Sequence, residues 1–300
     1  MIMQTIDGIS FPMEELCDLS FLSSWGRVFQ VFSQNDSGNV SFGVQGEHGR
    51  FFIKAAGAKT IHACVSPEQA VETLRAAVPL YQELAHPRLI RLVDHFSRNG
   101  LYAAVFQWAE GECLFDHWNF ERYEATGEPS PRERFRALPV EEKLDAFAGI
   151  FDFLAHAENR GYAAVDFYDS SLLYDFTQKQ LTICDIDLFQ KRPLHNTLGA
   201  DYPGTKRLKA PEEYLLGAEI TPATGVFTLG ALLLHFFGSY TQEEQERMYR
   251  ENRFFPCSRE TWQLSSARYA IAQKAVEPDP CRRYSSLQDF RRAWEADLLE

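Results

Sequence analysis

The stretch "AVDFYDSSLLYDFTQKQLTICDIDLF", residues 164–189, gathers four aspartates around two short apolar runs. Asp166 and Asp169 precede the first run, and Asp185 and Asp187 close the second. Strand-like runs separated by a polar four-residue break predict a hairpin, which returns the chain to the edge it left. Nineteen residues separate Asp166 from Asp185, enough for one such hairpin. Carboxylates at one edge can accept a proton or hold a hard divalent cation. Taken singly, each is as readily a turn or cap acid. Side chains two apart in an extended segment point the same way, so Asp185 and Asp187 could share one side; the alternative is that Asp187 is solvated or pairs with Lys191 or Arg192.

The elements that must position these acids are legible on both sides of them. From 25 to 55 the chain alternates in strand fashion with turn signals between: "GRVFQVF", "QNDSGN", "VSFGVQ", "GEHG", "RFFIKAAG". Two hairpins, or three consecutive antiparallel strands, are expected, with Lys54 near the end of the last. Residues 67–84 favour a helix opened by Ser66-Pro67-Glu68, with a kink or break at Pro79. "RLIRLVDHFS" and "LYAAVFQW" read as two more strands. "AEGECLFDHW" reads as a connector, and 118–140 as a polar insertion without clear period. Residues 141–160 have apolar positions at helical spacing and stop at Gly161. A long loop follows the hairpin, and helical patterns run to the C-terminus.

The chain has 300 residues, enough for two lobes, and a net charge of −12 from 42 acidic and 30 basic residues. That balance argues against general binding to a nucleic-acid backbone, so no nucleic-acid partner is expected. The six cysteines form no C-x-x-C pair, which points to reduced thiols in a cytoplasm rather than zinc or disulfides. The N-terminus lacks a basic region followed by an apolar one, so no signal peptide is expected. "VFTLGALLLHFFG" is too short to span a bilayer and reads as a buried helix, which predicts no membrane insertion.

The order of the pieces "FFIK", "VFQWAEG", "VDFYDSSLL", "ICDIDLF", "GTKRLKAPEEY" and "EPDPCRRYSSLQDF" resembles the protein-kinase fold over about 25–295. The resemblance implies an α+β, bilobal architecture. An N-terminal extension over 1–24 would precede a small antiparallel β-rich lobe over 25–108 and a larger, mainly helical lobe over 109–300. Lys54 is similar to the strand lysine of V-A-I-K, Asp166 to the aspartate of H-R-D and Asp185 to that of D-F-G. Ala210-Pro211-Glu212 matches A-P-E, and Arg283 stands where the family has the arginine that pairs with that glutamate.

The chemistry so implied is Mg²⁺-dependent transfer of the ATP γ-phosphoryl group to a serine or threonine hydroxyl of a protein substrate or signalling partner. Asp166 would orient the hydroxyl, Thr205 would shape the acceptor site, and Lys54 would hold the phosphates. Ser37, Gly38 and Asn39 would cover the nucleotide. Phe106, the Gln107 and Ala109 backbone, and Leu173 would surround the adenine. Asp185, with Asp187 or Ser171, would hold Mg²⁺, and Asp169 is a further acid that could reach it or remain a turn residue.

The chain departs from the family pattern at several positions. Gly38 is the only glycine of "QNDSGN". The glutamate expected to pair with Lys54 falls at Ala77, while Glu72 and Glu83 lie on other turns. Ala164 and Val165 replace the histidine and arginine of H-R-D, Tyr168 the catalytic-loop lysine, Ser171 the asparagine and Asp187 the D-F-G glycine. Gly225 replaces the aspartate that braces the loop, and the losses at Ala164 and Gly225 read as one concerted change. With Val165 before Asp166, phosphorylation at Thr197 or Tyr202 would find no arginine there. Two alternatives follow: a pseudokinase that binds nucleotide or partners without transfer, or a small-molecule kinase of the same fold.

Overall fold

A computed structural model describes residues 1–296 of the chain. The chain divides into two compact units, one from Met1 to Glu110 and one from Gly111 onward. The first is rich in sheet and the second in helix, an α+β organisation compatible with a bilobal kinase-like fold.

The first unit begins with a hairpin of β1 (Ile2–Ile6) and β2 (Ile9–Met13). A five-stranded antiparallel sheet follows, built from β3 (Arg27–Phe32), β4 (Val40–Gly46), β5 (Gly49–Ala56), β6 (Leu92–Arg98) and β7 (Leu101–Gln107). Its strand order is β3-β4-β5-β7-β6, so residues 25–55 form three consecutive antiparallel strands. Alternation sends Val40, Phe42, Val44, Ile53, Ala55 and Val105 into one core. Phe11 and Met13 of the hairpin, and Leu19, Phe21 and Leu22 after it, complete that core.

The helix α1 (Pro67–Glu83) starts at a capping box in which Ser66 and Gln69 exchange bonds, with Pro67 at the first position. Its buried residues Ala70, Leu74, Ala77, Val78 and Tyr81 recur at helical spacing. Pro79 does not break it. That residue is exposed, so the carbonyl it leaves without an N–H donor is on the watered side.

The second unit opens with the short strand β8 (Glu112–Cys113) inside the expected connector. The stretch 118–140 is more ordered than its sequence suggests: it holds α2 (Phe120–Thr126) and α3 (Pro131–Arg136). Helices of seven and six residues are too short to display a period, although Ser130-Pro131 and Glu133 form a capping box. Then come α4 (Val140–Asn159), β9 (Tyr162–Ala163), β10 (Leu172–Asp175) and β11 (Gln180–Ile183). Strands β12 (Gln190–Lys191), β13 (Leu194–His195) and β14 (Glu219–Ile220) form small ladders, β12 with β9 and β13 with β14.

The helices α5 (Pro222–Phe237), α6 (Gln242–Glu251), α7 (Ser266–Ala275) and α8 (Leu287–Ala296) close the described chain. The apolar run of α5 is buried nearly all round, and no described helix is long and apolar enough to cross a membrane. Phe135 packs on Phe236, and Phe147 on Phe237, with ring centroids 5.0 and 5.4 Å apart. Lys143 is buried among them. Its ammonium donates to Arg136 O at 2.9 Å, to Phe236 O at 3.4 Å and to Gln263 Oε1, so all three protons are engaged.

Candidate functional site

In the first unit Lys54 lies between Ser41 and Ala104 in the sheet, on the face that also carries Phe52 and Phe106. That face is rich in aromatic rings: Phe52 meets Phe32, Phe106 and Trp108 at 5.8, 6.5 and 6.4 Å. Phe106 is buried and meets Tyr81 of α1 edge to face at 4.7 Å. Ala77 is buried on α1, whereas Glu72 and Glu83 are both exposed, so the buried stripe of α1 carries no carboxylate. The Gln107 N–H donates to Arg91 O at 2.9 Å, and Ala109 is half-buried.

The loop over 33–39 is folded down rather than free. Gly38 (φ 75°) and Asn39 are buried, and Ser37 is exposed. A side chain at Gly38 would meet Ala70, Val65 and Ala63, and the Asp36 carbonyl accepts from Cys64 N at 2.8 Å. The lone glycine therefore serves a close approach to the start of α1 as well as a turn.

In the second unit the hairpin is present as expected. Leu172 opposes Ile183, and Leu173, half-buried, opposes Thr182 on one side and Cys113 of β8 on the other. A 3₁₀ turn over Asp169–Ser171 leads into it, and Cys184 N donates to Ser171 O at 2.9 Å, closing its base. Asp166 (φ 59°) and Asp185 (φ 53°) flank this assembly with left-handed backbones. The other non-glycine residues at positive φ among the described ones, Asp7, Asn99, Lys179 and Asn252, close hairpins or cap a helix.

Burial alternates along the loop. Val165, Phe167 and Asp169 point inward, while Asp166 and Tyr168 are half-exposed. Phe167 and Phe153 both pack on Phe189, each with ring centroids 6.2 Å apart, which ties the loop to the chain beyond Asp185. Asp185 is exposed, Ile186 fully buried and Asp187 half-buried. No strand runs through 184–187 and Asp185 is left-handed, so the two-residue alternation invoked for Asp185 and Asp187 does not apply.

Three carboxylates act through their fields on one phenol. Burial pushes the Tyr168 hydroxyl up, a bond from Ser170 opposes this, and the fields of Asp166, Asp185 and Asp169 push it up further. Tyr168 is thus a neutral donor where a lysine would be a cation. Lys209 lies in the field of Asp166. Burial lowers its pKa, Glu213 and Asp166 oppose the shift, and its ammonium donates to Tyr202 O at 2.6 Å and Ala200 O at 3.3 Å. Thr205 accepts from Leu208 N and Lys209 N at 3.0 and 3.1 Å through its carbonyl, closing the turn that leads to Ala210.

Ser171 is 1% exposed, and its hydroxyl has no hydrogen-bond partner among the described residues, so a metal could reach it only after local opening. Asp169 is not a spare metal acid. It is 0% exposed, and its two oxygens face Arg207, with Nη2–Oδ1 at 2.7 Å and Nη1–Oδ2 at 3.3 Å. Sequence reasoning missed Arg207, since nothing in "GTKRLKAPEE" separates it from its basic neighbours. Among the described residues no group of three or more His, Cys, Asp or Glu side chains forms a metal cage. Mg²⁺ needs only one or two carboxylates beside water and phosphate, and an exposed Asp185 at the base of the hairpin fits that donor set.

Two substitutions share one place. Ala164 and Gly225 both line a cavity of about 20 Å³, together with Glu158, Arg192 and Glu213. The cavity is about the size of one water, at the two positions where the resemblance expects a histidine and an aspartate.

No family model matches the chain. Over 161 residues it is 28% identical to cyclin-dependent kinase F-3 of Oryza sativa subsp. japonica, covering 53% of this chain and 33% of that protein. Over 213 residues it is 23% identical to serine/threonine-protein kinase PknG of Mycolicibacterium smegmatis, covering 69% of this chain and 24% of that protein. The chain spans about a third and a quarter of the lengths of these curated relatives. Both relatives are named as protein kinases, and the likeness to each is distant and partial.

Proposed function

We propose that the chain transfers the γ-phosphoryl group of ATP to a serine or threonine hydroxyl of a protein. The observation that carries this reading is the pair of left-handed aspartates at the two flanks of one hairpin, Asp166 half-exposed and Asp185 exposed. Backbone strain of this kind gathers at functional sites, where a side chain must be aimed against local preference. Asp166 accepts the acceptor proton, Thr205 shapes the acceptor site and Lys54 holds phosphate oxygens as a point charge. Asp185 and Asp187 would hold Mg²⁺, which when bound neutralises charge on the phosphates. Phe106, the Gln107 and Ala109 backbone and Leu173 would serve the adenine, and Ser37, Gly38 and Asn39 would serve the phosphates.

A thermal-shift titration with ATP, with and without Mg²⁺, run beside a transfer assay tests the reading. Stabilisation should reach about 2.7 kcal/mol at a hundredfold excess over Kd. Metal-dependent stabilisation together with transfer is the expected result; no stabilisation and no transfer would overturn it.

The second reading, a pseudokinase, is supported by a specific feature of the first unit. Phe52 stands where V-A-I-K has alanine, and its ring lies among Phe32, Phe106 and Trp108 on the Lys54 face. A crowded face beside a packed-down Gly38 loop favours partner binding over turnover. Nucleotide binding without transfer would select it.

A further inference from the structure

We infer that the Asp169–Arg207 ion pair is a permanent brace, fastening the segment that leads into Ala210-Pro211-Glu212 to the loop that carries Asp166. The two residues are 38 apart in sequence and meet as a fork on a carboxylate, at 2.7 and 3.3 Å. The Asp169 side chain is 0% exposed and that of Arg207 9%, so the pair is shielded from salt and solvent. The guanidinium also lies 4.6 Å from the centre of the Phe115 ring. Burial disfavours charge on Arg207, but the field of Asp169 and its bonds outweigh that and raise the pKa. His235 Nε2 stands 3.9 Å from Asp169 Oδ2. Burial, then the fields of Arg207, Arg132 and Arg136, hold this imidazole well below its usual pKa. It is a neutral neighbour; Arg207 is the cation hydrogen-bonded to Asp169, and the half-buried Arg132 adds its field to the same carboxylate.

Both ends of the brace sit where movement would matter. Asp169 begins the 3₁₀ turn three residues after Asp166, and the end of that turn bonds Cys184, the neighbour of Asp185. Arg207 belongs to the turn in which Leu208 N and Lys209 N both donate to Thr205 O. The pair therefore couples Thr205 to Asp166 through two short, hydrogen-bonded turns. The site where a phosphate-reading arginine would stand holds Val165, which is 3% exposed. An ion pair between two genetically encoded side chains needs no modifying enzyme, so the segment is ordered as synthesised. Asp169 and Arg207 are positioning residues. Their effect on transfer rests on the function proposed above; the brace itself does not.

Hydrogen exchange of the full chain, read by mass spectrometry, separates the two. Arg207→Lys keeps the charge and loses the fork, Arg207→Gln loses both, and Asp169→Asn removes the carboxylate. Exchange in 198–210 and 166–171 should rise in the order wild type, Arg207→Lys, Arg207→Gln, reaching tenfold or more, while α7 and α8 keep their rates. Asp169→Leu/Arg207→Met, an apolar replacement of the whole pair, should recover most of the protection. Unchanged exchange in the single variants would overturn the brace. So would an increase spread evenly over the second unit that the double variant does not reverse. In a transfer assay with dephosphorylated casein as acceptor, Arg207→Lys should raise the acceptor KM about tenfold and leave the ATP KM within twofold. Equal changes in both constants would also count against it. A wild-type chain that transfers nothing would remove the proposed function and leave the exchange result to decide the brace.

Discussion

Arg283 holds both oxygens of Glu212 across 71 residues of chain, Nη1 to Oε1 at 2.7 Å and Nη2 to Oε2 at 2.9 Å. The Arg283 side chain is 0% exposed, and Thr224 Oγ1 adds a bond to Glu212 Oε1 at 2.8 Å. Arg283 also donates to Ala223 O and Pro278 O, each at 3.0 Å, which fastens the start of α5 to the turn before α8. Removing one partner strands a buried charge. Arg283→Met should cost about 3–5 kcal/mol in urea denaturation. A change below about 1 kcal/mol would mean that the pair only orders the turn.

The cavity between Ala164 and Gly225 makes an opposite prediction. A Cβ at Gly225 would find Leu287 Cδ1 at 3.5 Å, an ordinary contact. Glycine in a helix costs up to about 1 kcal/mol relative to alanine, so Gly225→Ala should raise stability by up to that amount. Gly230→Ala on the same helix should lower it, because its Cβ would lie 2.6 Å from Ala275 Cβ. Thermal denaturation of the two variants checks the pair, and equal shifts would refute this account of the cavity.

Glu213 predicts a dependence on pH. Burial pushes its carboxyl up to about 8, the Ala210 N–H opposes this and Glu212 adds to it. A folded pKa above the unfolded value of 4.5 means that folding favours the protonated form. Its contribution is complete below 4.5 and is lost as pH rises to about 8. His235 acts the other way. Its folded pKa lies well below 6.5, so its contribution is present above that pH and is lost as pH falls. Between pH 6.5 and 8 His235 adds little, and the difference between wild type and Glu213→Gln reports Glu213. Glu213→Gln should be more stable than wild type at pH 8, with the advantage shrinking as pH falls toward 6.5; a constant difference across that window would refute the shift.

Phosphorylation of the long loop should be dispensable. Thr197 is exposed, while Tyr202 is 5% exposed and belongs to a small core with Ala163, Val165 and Ile220. Thr197→Ala should leave transfer activity within a few-fold. A large loss would show that a cation other than the missing arginine reads a phosphate there.

The carboxylates can be told apart by what each variant loses. Asp166→Asn should abolish transfer and leave the Mg·ATP thermal shift intact, since that carboxylate serves the acceptor. Asp185→Asn should weaken the Mg²⁺-dependent part of the shift. Asp187→Gly should raise the Mg²⁺ concentration needed for half-maximal activity, although it restores the common family residue. An unchanged Mg²⁺ titration in Asp187→Gly would remove Asp187 from the metal site.

The sequence by itself determined the order of the longer elements from β3 onward, because strand and helix periods record local burial directly. The runs of β3 to β7, the stripe of α4, the apolar α5 and the hairpin of β10 and β11 all follow from it. It also pointed to Arg283 as the partner of Glu212, through resemblance rather than spacing. The short helices α2 and α3 escaped because six or seven residues make fewer than two turns, too few for a pattern to repeat. Tertiary structure alone decided the partner of Asp169, the shared cavity of Ala164 and Gly225, the left-handed turn at Asp185 and the downward fold of the Gly38 loop. Apart from the turn at Asp185, which is local backbone geometry, each depends on segments meeting in space that are distant in the chain, and a one-dimensional pattern of polar and apolar residues carries no record of which charge a buried carboxylate will meet.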